Sequence, residues 1–255
     1  MTETVNNQAL FRYVLALGDD ALILGQRLSE WCSAGPFLEE DLALANVALD
    51  YLGRARMFFE YAARVEGGGR TEDDLAFGRT VREYHNHLLY ELPRGDLAFT
   101  MARQLVVDLY NVEYLSALSN SRDETLAAIA ARCLKESQYH LRRSREWVVR
   151  LGDGTDESHS RVQKAFDELW GYTHELFKPD KNEQALTEIG VAVDCCEIRE
   201  KWNRQFDAIL AEATLERPDD GWAIDGGRKG IHTEAFCSLL AELQYMQRAY
   251  PGLEW

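Results

Sequence analysis

Five prolines are all that interrupt this chain, and no stretch alternates apolar and polar residues as a half-buried strand does. With abundant Ala, Leu, Glu and Arg, that excludes a β-rich fold and predicts an all-α one. Cysteine is scarce as well: Cys32, Cys133, Cys195, Cys196 and Cys237 are odd in number and irregularly spaced. A disulfide framework is therefore excluded, and with no signal-peptide pattern the expectation is a cytoplasmic protein with reduced thiols. No apolar run approaches the roughly 18 residues of a membrane span, so no membrane partner is expected. Basic residues are outnumbered, 28 Lys and Arg against 43 Asp and Glu, for a net charge of −15. That removes the basic footprint nucleic-acid binding needs. Also missing are Gly-x-Gly-x-x-Gly, the Walker loop, the Gly-x-Ser-x-Gly elbow and Cys-x-x-Cys, and the chemistry each carries.

What the chain does have is long helical periodicity, most distinctively over residues 123–151. Leu126, Ala130, Cys133, Ser137, His140, Leu141, Ser144, Trp147 and Leu151 recur at three- and four-residue steps. Asp123 is a candidate N-cap and Gly152 a candidate stop. The middle of this face is unusual, because Ser137, His140 and Ser144 stand where a bundle core wants Leu. In a carboxylate-bridged di-iron bundle, two core helices each aim Glu-x-x-His inward. Here the corresponding pair is Ser137 and His140, a histidine without its glutamate. The pattern is that of a di-iron oxygenase frame lacking the metal.

Residues 7–33 read as a first helix, with Leu10, Val14, Leu17, Ala21, Leu24 and Leu28 as its stripe. Residues 37–66 make a second, whose apolar side is read as Leu42, Ala45, Leu49, Leu52, Met57 and Phe59, stopped by three glycines from Gly67. Thr71 to Asp74 cap a third that runs to about residue 92. A fourth spans 97 to about 119, with Met101, Leu105, Leu109, Val112 and Leu115 on one face; the helix over 123–151 is the fifth. Short links pair one with two and four with five as antiparallel neighbours, and the third is a long crossover. That arrangement is a ferritin-like four-helix bundle. Helices over 156–178 and 194–215, a short piece between them and a last helix over about 233–249 form a C-terminal helical extension. The expectation is one domain, with a core bundle at about 7–151 and an extension at about 155–255.

A di-iron site needs histidine from two helices. Of His85, His87, His140, His159, His174 and His232, only His140 lies on a core-facing stripe. The second helix has Asp50-Tyr51-Leu52-Gly53-Arg54, with Gly53 or Arg54 where an imidazole is required. Asp50, Asp108 and Glu136, with Asp19 or Asp20, remain near the bundle axis. Two readings stand: an atypical metal site built from Asp50, Asp108, Glu136 and His140, or a buried polar network in which Arg54 or Arg103 neutralises carboxylates. His85 and His87, two apart on a helix, are expected at its surface or against another chain.

The stretch Gly226-Gly227-Arg228-Lys229-Gly230-Ile231-His232-Thr233-Glu234 is the second unusual one. A cationic, glycine-rich turn ahead of a helix suits an anion such as a phosphate. The residues themselves favour a docking turn, with Lys229 or His232 paired to a carboxylate and Thr233 as cap.

The run from Gly226 to Trp255, with LILGQRLSEWC, EEDLALANVALDYLGRAR, KESQYHLRRSREW and LGDGTDES, closely resembles the C subunits of bacterial ring-1,2-phenylacetyl-CoA epoxidases, over nearly the whole chain. The resemblance makes Gly230, His232, Thr233 and Glu234 a signature loop. It implies a ferritin-like protein that pairs with the homologous catalytic A subunit, the carrier of the di-iron centre. The complex it implies epoxidises the ring of phenylacetyl-CoA with dioxygen, using NADPH electrons from a separate reductase. No catalytic residue carries over, because the ligand positions are unmatched at Ser137 and Gly53. The resulting expectation is a non-catalytic structural subunit without a cofactor of its own. Arg228 and Lys229 are candidates for the phosphates of coenzyme A at the subunit boundary. The alternative is an oxygenase in its own right, using the atypical carboxylate and histidine set. Other epoxidase components are expected partners, and a homodimer of the isolated chain is left open. Tyr51, Phe58, Phe59 and Tyr61, with Phe77, Tyr84 and Tyr110, are candidates for the partner face.

Overall fold

The computed structural model describes residues 2–253, with the side chains of 2–6 outside the description. Among the described residues there are helices and turns and no strand, as the composition predicts. None of the described helices is long and apolar enough to cross a membrane. Contacts divide the chain into two compact units: residues up to Pro93 with the stretch from Gly226 onward, and Arg94–Asp225.

In the first unit, α1 (Thr2–Ser29) and α2 (Leu38–Glu66) pack as an antiparallel pair. Gly18 meets the ring of Phe59, and Gly25 meets Leu52 and Ala48, so rising numbers on one helix meet falling numbers on the other. The predicted stripe of α1 is buried from Val14 to Leu28. Gly67, at φ 66°, ends α2 in the left-handed conformation that a residue with a Cβ avoids.

Of the apolar side read from periodicity on α2, Phe59 is buried as expected, Ala45, Leu52 and Met57 are half-buried, and Leu42 and Leu49 are exposed. Leu44, Val47, Tyr51 and Phe58 are buried as well. Two apolar stripes run along this helix, and period alone does not say which faces in; the bulkier aromatic one fills the core. The aromatic residues expected on a partner face are thereby corrected: Tyr51, Phe58, Phe59, Tyr84 and Tyr110 are core, and Tyr61 and Phe77 are half-buried. Gly53 lies on the exposed side, with open space where a Cβ would sit. Gly53→Ala is therefore expected to raise stability by about 0.5–1 kcal/mol in chemical denaturation, by relieving glycine's backbone entropy.

The crossover is not the one long helix expected over residues 72–92. It consists of α3 (Glu72–Phe77), a single 3₁₀ turn at Val81–Glu83, and α4 (Leu88–Glu91). Thr71 and Asp74 form the capping box that starts α3. A second box, from Thr80 and Glu83, starts the 3₁₀ turn. Beyond it the backbone N–H groups of His85 and His87 donate to Asp19 and Asp20, each at 2.8 Å. Carboxylates from α1 thus take the donors that a helical ladder would have used.

The second unit holds the antiparallel pair α5 (Leu97–Leu118) and α6 (Glu124–Gly152). Asp96 caps α5 through Phe99 N at 2.8 Å, and Asp123 caps α6 through Leu126 N at 2.9 Å. Against α5 pack α7 (Asp156–Thr173) and α9 (Cys195–Glu212), with the short α8 (Lys181–Glu188) between them in sequence. Trp202 donates from Nε1 to Val106 O at 3.0 Å and stacks on Phe206 at 4.6 Å. Cys195 is buried and Cys196 exposed, as adjacent helical positions should be, and all five thiols are free. The chain closes in the first unit with α10 (Glu234–Leu243) and α11 (Tyr245–Ala249). The order of elements, two antiparallel pairs separated by a crossover, is that of a ferritin-like bundle.

Candidate functional site

The inward polar stripe sits on α5 and α6. Asp108, Ser137, His140 and Ser144 are all buried, as are Thr100, Arg103 and Gln104. Arg143 Nη1 of α6 lies 3.8 Å from Met101 Sδ of α5. Asp108, Glu136, Ser137, His140 and Arg103 each have interaction partners. On α2 the buried i, i+3 pair is Tyr51 and Arg54, with the guanidinium over the Tyr51 ring at 4.7 Å. Of the two residues read at the imidazole position of α2, Arg54 is buried and Gly53 is exposed. Asp50 is half-buried. Taken helix by helix, this donor set does not suit a carboxylate-bridged metal pair: α6 offers Ser137, His140 and a half-buried Glu136 out of the i, i+3 register, α2 offers Tyr51 and a cation, and Glu-x-x-His occurs on neither. Among the described residues no three His, Cys, Asp or Glu side chains are grouped to hold a metal ion.

A second polar cluster, in the first unit, was not legible as such in the sequence. The buried Asp19 and Asp20 of α1 are committed to it. Asp19 pairs with Arg79, whose Nε donates to Leu75 O at 2.5 Å and whose guanidinium lies 4.0 Å from the Tyr84 ring centre. Asp20 accepts from Arg228 at 3.1 and 2.7 Å through both oxygens, a bidentate fork. Arg228 also donates to His85 O at 2.5 Å. His87, expected at a surface, is buried 3.3 Å from Asp20. Glu91 completes the cluster: it accepts from Asn86 Nδ2 at 2.9 Å and from Thr233 N at 2.5 Å, and lies 2.8 Å from His232 Nδ1. His232 Nε2 faces Tyr84 O at 3.0 Å, so this nitrogen donates. Gln244 donates to Arg79 O at 2.7 Å.

Gly227 and Gly230 of the loop after Asp225 pack closely on the crossover. A Cβ on Gly227 would stand 2.0 Å from Asn86 O, and one on Gly230, at φ 69°, would stand 2.3 Å from Arg82 O. Arg228 is buried on Asp20, and Lys229 and Glu234 are exposed or half-exposed beside it. Thr233 occupies the N-cap position of α10 without a side-chain capping bond, and its backbone N–H donates to Glu91.

Burial, with Arg12, Arg79, Arg228 and His232 nearby, pushes the His85 imidazole down to about 4. Burial alone drives Asp20 up, but Arg228 and His87 outweigh it and hold the carboxyl at about 2. Both groups bind fewer protons folded than unfolded, so stability is present at neutral pH and is lost on acidification. His85 acts from about pH 6.5 to 4, and Asp20 from about 4 to 2. Denaturation midpoints measured from pH 7 to 4 should fall, and His85→Gln should flatten that decline.

The sequence profile of the phenylacetic acid catabolic proteins matches residues 1–255, the whole chain. The chain belongs to that family. It is also 49% identical to the C subunit of the 1,2-phenylacetyl-CoA epoxidase of Escherichia coli (strain K12), over 96% of this chain and 99% of that one. Family membership places the chain in phenylacetate catabolism.

Proposed function

We propose that this chain is the non-catalytic structural subunit of a phenylacetyl-CoA epoxidase, pairing in the cytoplasm with the di-iron catalytic A subunit and stabilising it. The observation that carries the reading is on α2 and α6: buried Tyr51 with Arg54, and buried Ser137 with His140, occupy inward positions where a di-iron bundle needs Glu-x-x-His. A buried guanidinium at such a position opposes a cationic metal. The identity to an epoxidase C subunit, end to end, supports the assignment to that complex. No step of the epoxidation is assigned to a side chain of this protein, and no cofactor of its own is required. Arg228 serves as an anchor for Asp20 in this reading, not as a contact for coenzyme A.

Turnover tests it. The chain alone should not consume phenylacetyl-CoA, and mixing with the di-iron partner, reductase and NADPH should restore epoxidation. Complexes carrying His140→Ala should retain most of that activity if they assemble. Turnover by the isolated chain, abolished by His140→Ala, would instead establish the oxygenase reading with Asp50, Asp108, Glu136 and His140.

A further inference from the structure

Helix α2 carries a second apolar face that this chain does not bury. Leu38 is 69% exposed, Leu42 55% and Leu49 64%, with Phe37 at 48% just ahead of the helix. Half-buried Ala45 and Leu52 fill the intervals. The series 38, 42, 45, 49, 52 alternates steps of four and three, the spacing of a seam between two helices. It runs about 21 Å, nearly four turns. At its end Leu52 lines an open groove of about 410 Å³ whose apolar walls include Leu22, Phe59, Ala76 and Phe77. An apolar surface this continuous is the mark of an interaction site.

Charge selects the occupant. From Leu38 to Gly53 the helix carries Glu39, Glu40, Asp41 and Asp50 and no Lys or Arg. Two copies meeting seam to seam would set acid on acid. Antiparallel pairing about Ala45 brings Glu40 to Asp50, and parallel pairing brings each acid to itself. The net charge of −15 adds to that repulsion. A helix with a small or leucine-rich seam and flanking Lys or Arg meets no such penalty. We propose that the outer face of α2 seats a basic-flanked amphipathic helix of the catalytic partner. This rests on the pairing proposed above and names the surface that makes it.

The test is affinity between this chain and the di-iron partner, by sedimentation or calorimetry. Leu42→Glu with Leu49→Glu replaces two exposed residues, so helicity and thermal midpoint should hold while affinity falls on the order of 100-fold. Glu39→Lys with Asn46→Lys, also at exposed positions, should weaken binding while leaving the seam intact. Raising salt should weaken the wild-type pair. Unchanged affinity in both double variants, with the wild-type pair intact, would overturn the α2 assignment and leave the pairing standing. A wild-type chain that does not bind the di-iron partner would instead overturn the pairing. A homodimer dissolved by the glutamate variant would overturn the choice of occupant.

Discussion

Replacing Arg228 by alanine should lower the unfolding free energy by about 3–5 kcal/mol, the usual consequence of leaving a buried charge without its partner. Asp20 and Arg228 have side-chain exposures of 11% and 7%, and the fork between them joins positions 208 residues apart. Without the guanidinium, Asp20 retains only the backbone N–H and ring of His87. His85 O also loses its donor. Equilibrium denaturation of Arg228→Ala measures the loss. Adding Asp20→Asn should recover a large part of it, because the second change removes the stranded charge. A loss below about 1 kcal/mol, the range of surface ion pairs, would show that the loop is not held through this contact.

Glu91→Ala should be comparably damaging, again about 3–5 kcal/mol. Its carboxylate is fully buried and gathers Asn86, His232 and Thr233 N, while its backbone carbonyl accepts from Arg27 at 2.9 Å. Removing the side chain takes the carboxylate from His232 Nδ1 and Asn86 Nδ2 and leaves the Thr233 N–H without its acceptor. The damage should be local first, since those groups tie the loop after Gly226 to the crossover. Limited proteolysis should then cut the stretch beyond Gly226 in the variant well before the rest of the chain. Glu91→Gln keeps an acceptor and should lose less.

Short-range chemistry was legible in the sequence. Asp123 and Thr71 cap helices as read, Gly67 stops α2, and the helices over 97–118 and 124–152 fall within a residue or two of expectation. What failed depended on distant partners. The crossover looked helical because Thr71 to Asp74 begins a helix well, yet Asp19 and Asp20, some 66 residues away in sequence, take its backbone donors. Arg79, Glu91 and Gln244 were missed for the same reason, since nothing near them in sequence marks them as buried. Thr233 takes the N-cap position as read, but the Glu91 carboxylate that holds its backbone N–H lies 142 residues away in sequence. Helix α2 misled differently: both of its stripes have helical period, and only packing distinguishes the leucine face from the aromatic one. At the bundle positions the sequence was half sufficient. Ser137 and His140 lie inward as their spacing predicts, but the choice between Gly53 and Arg54 needed the structure.

The most direct measurement is iron content of the chain purified alone and again after co-expression with the di-iron partner. The account predicts no iron in the isolated chain and about two irons per assembled pair, all held by the partner. Near-stoichiometric iron in the isolated chain would contradict it, and would make the buried stripe around Asp108 and His140 a working metal site.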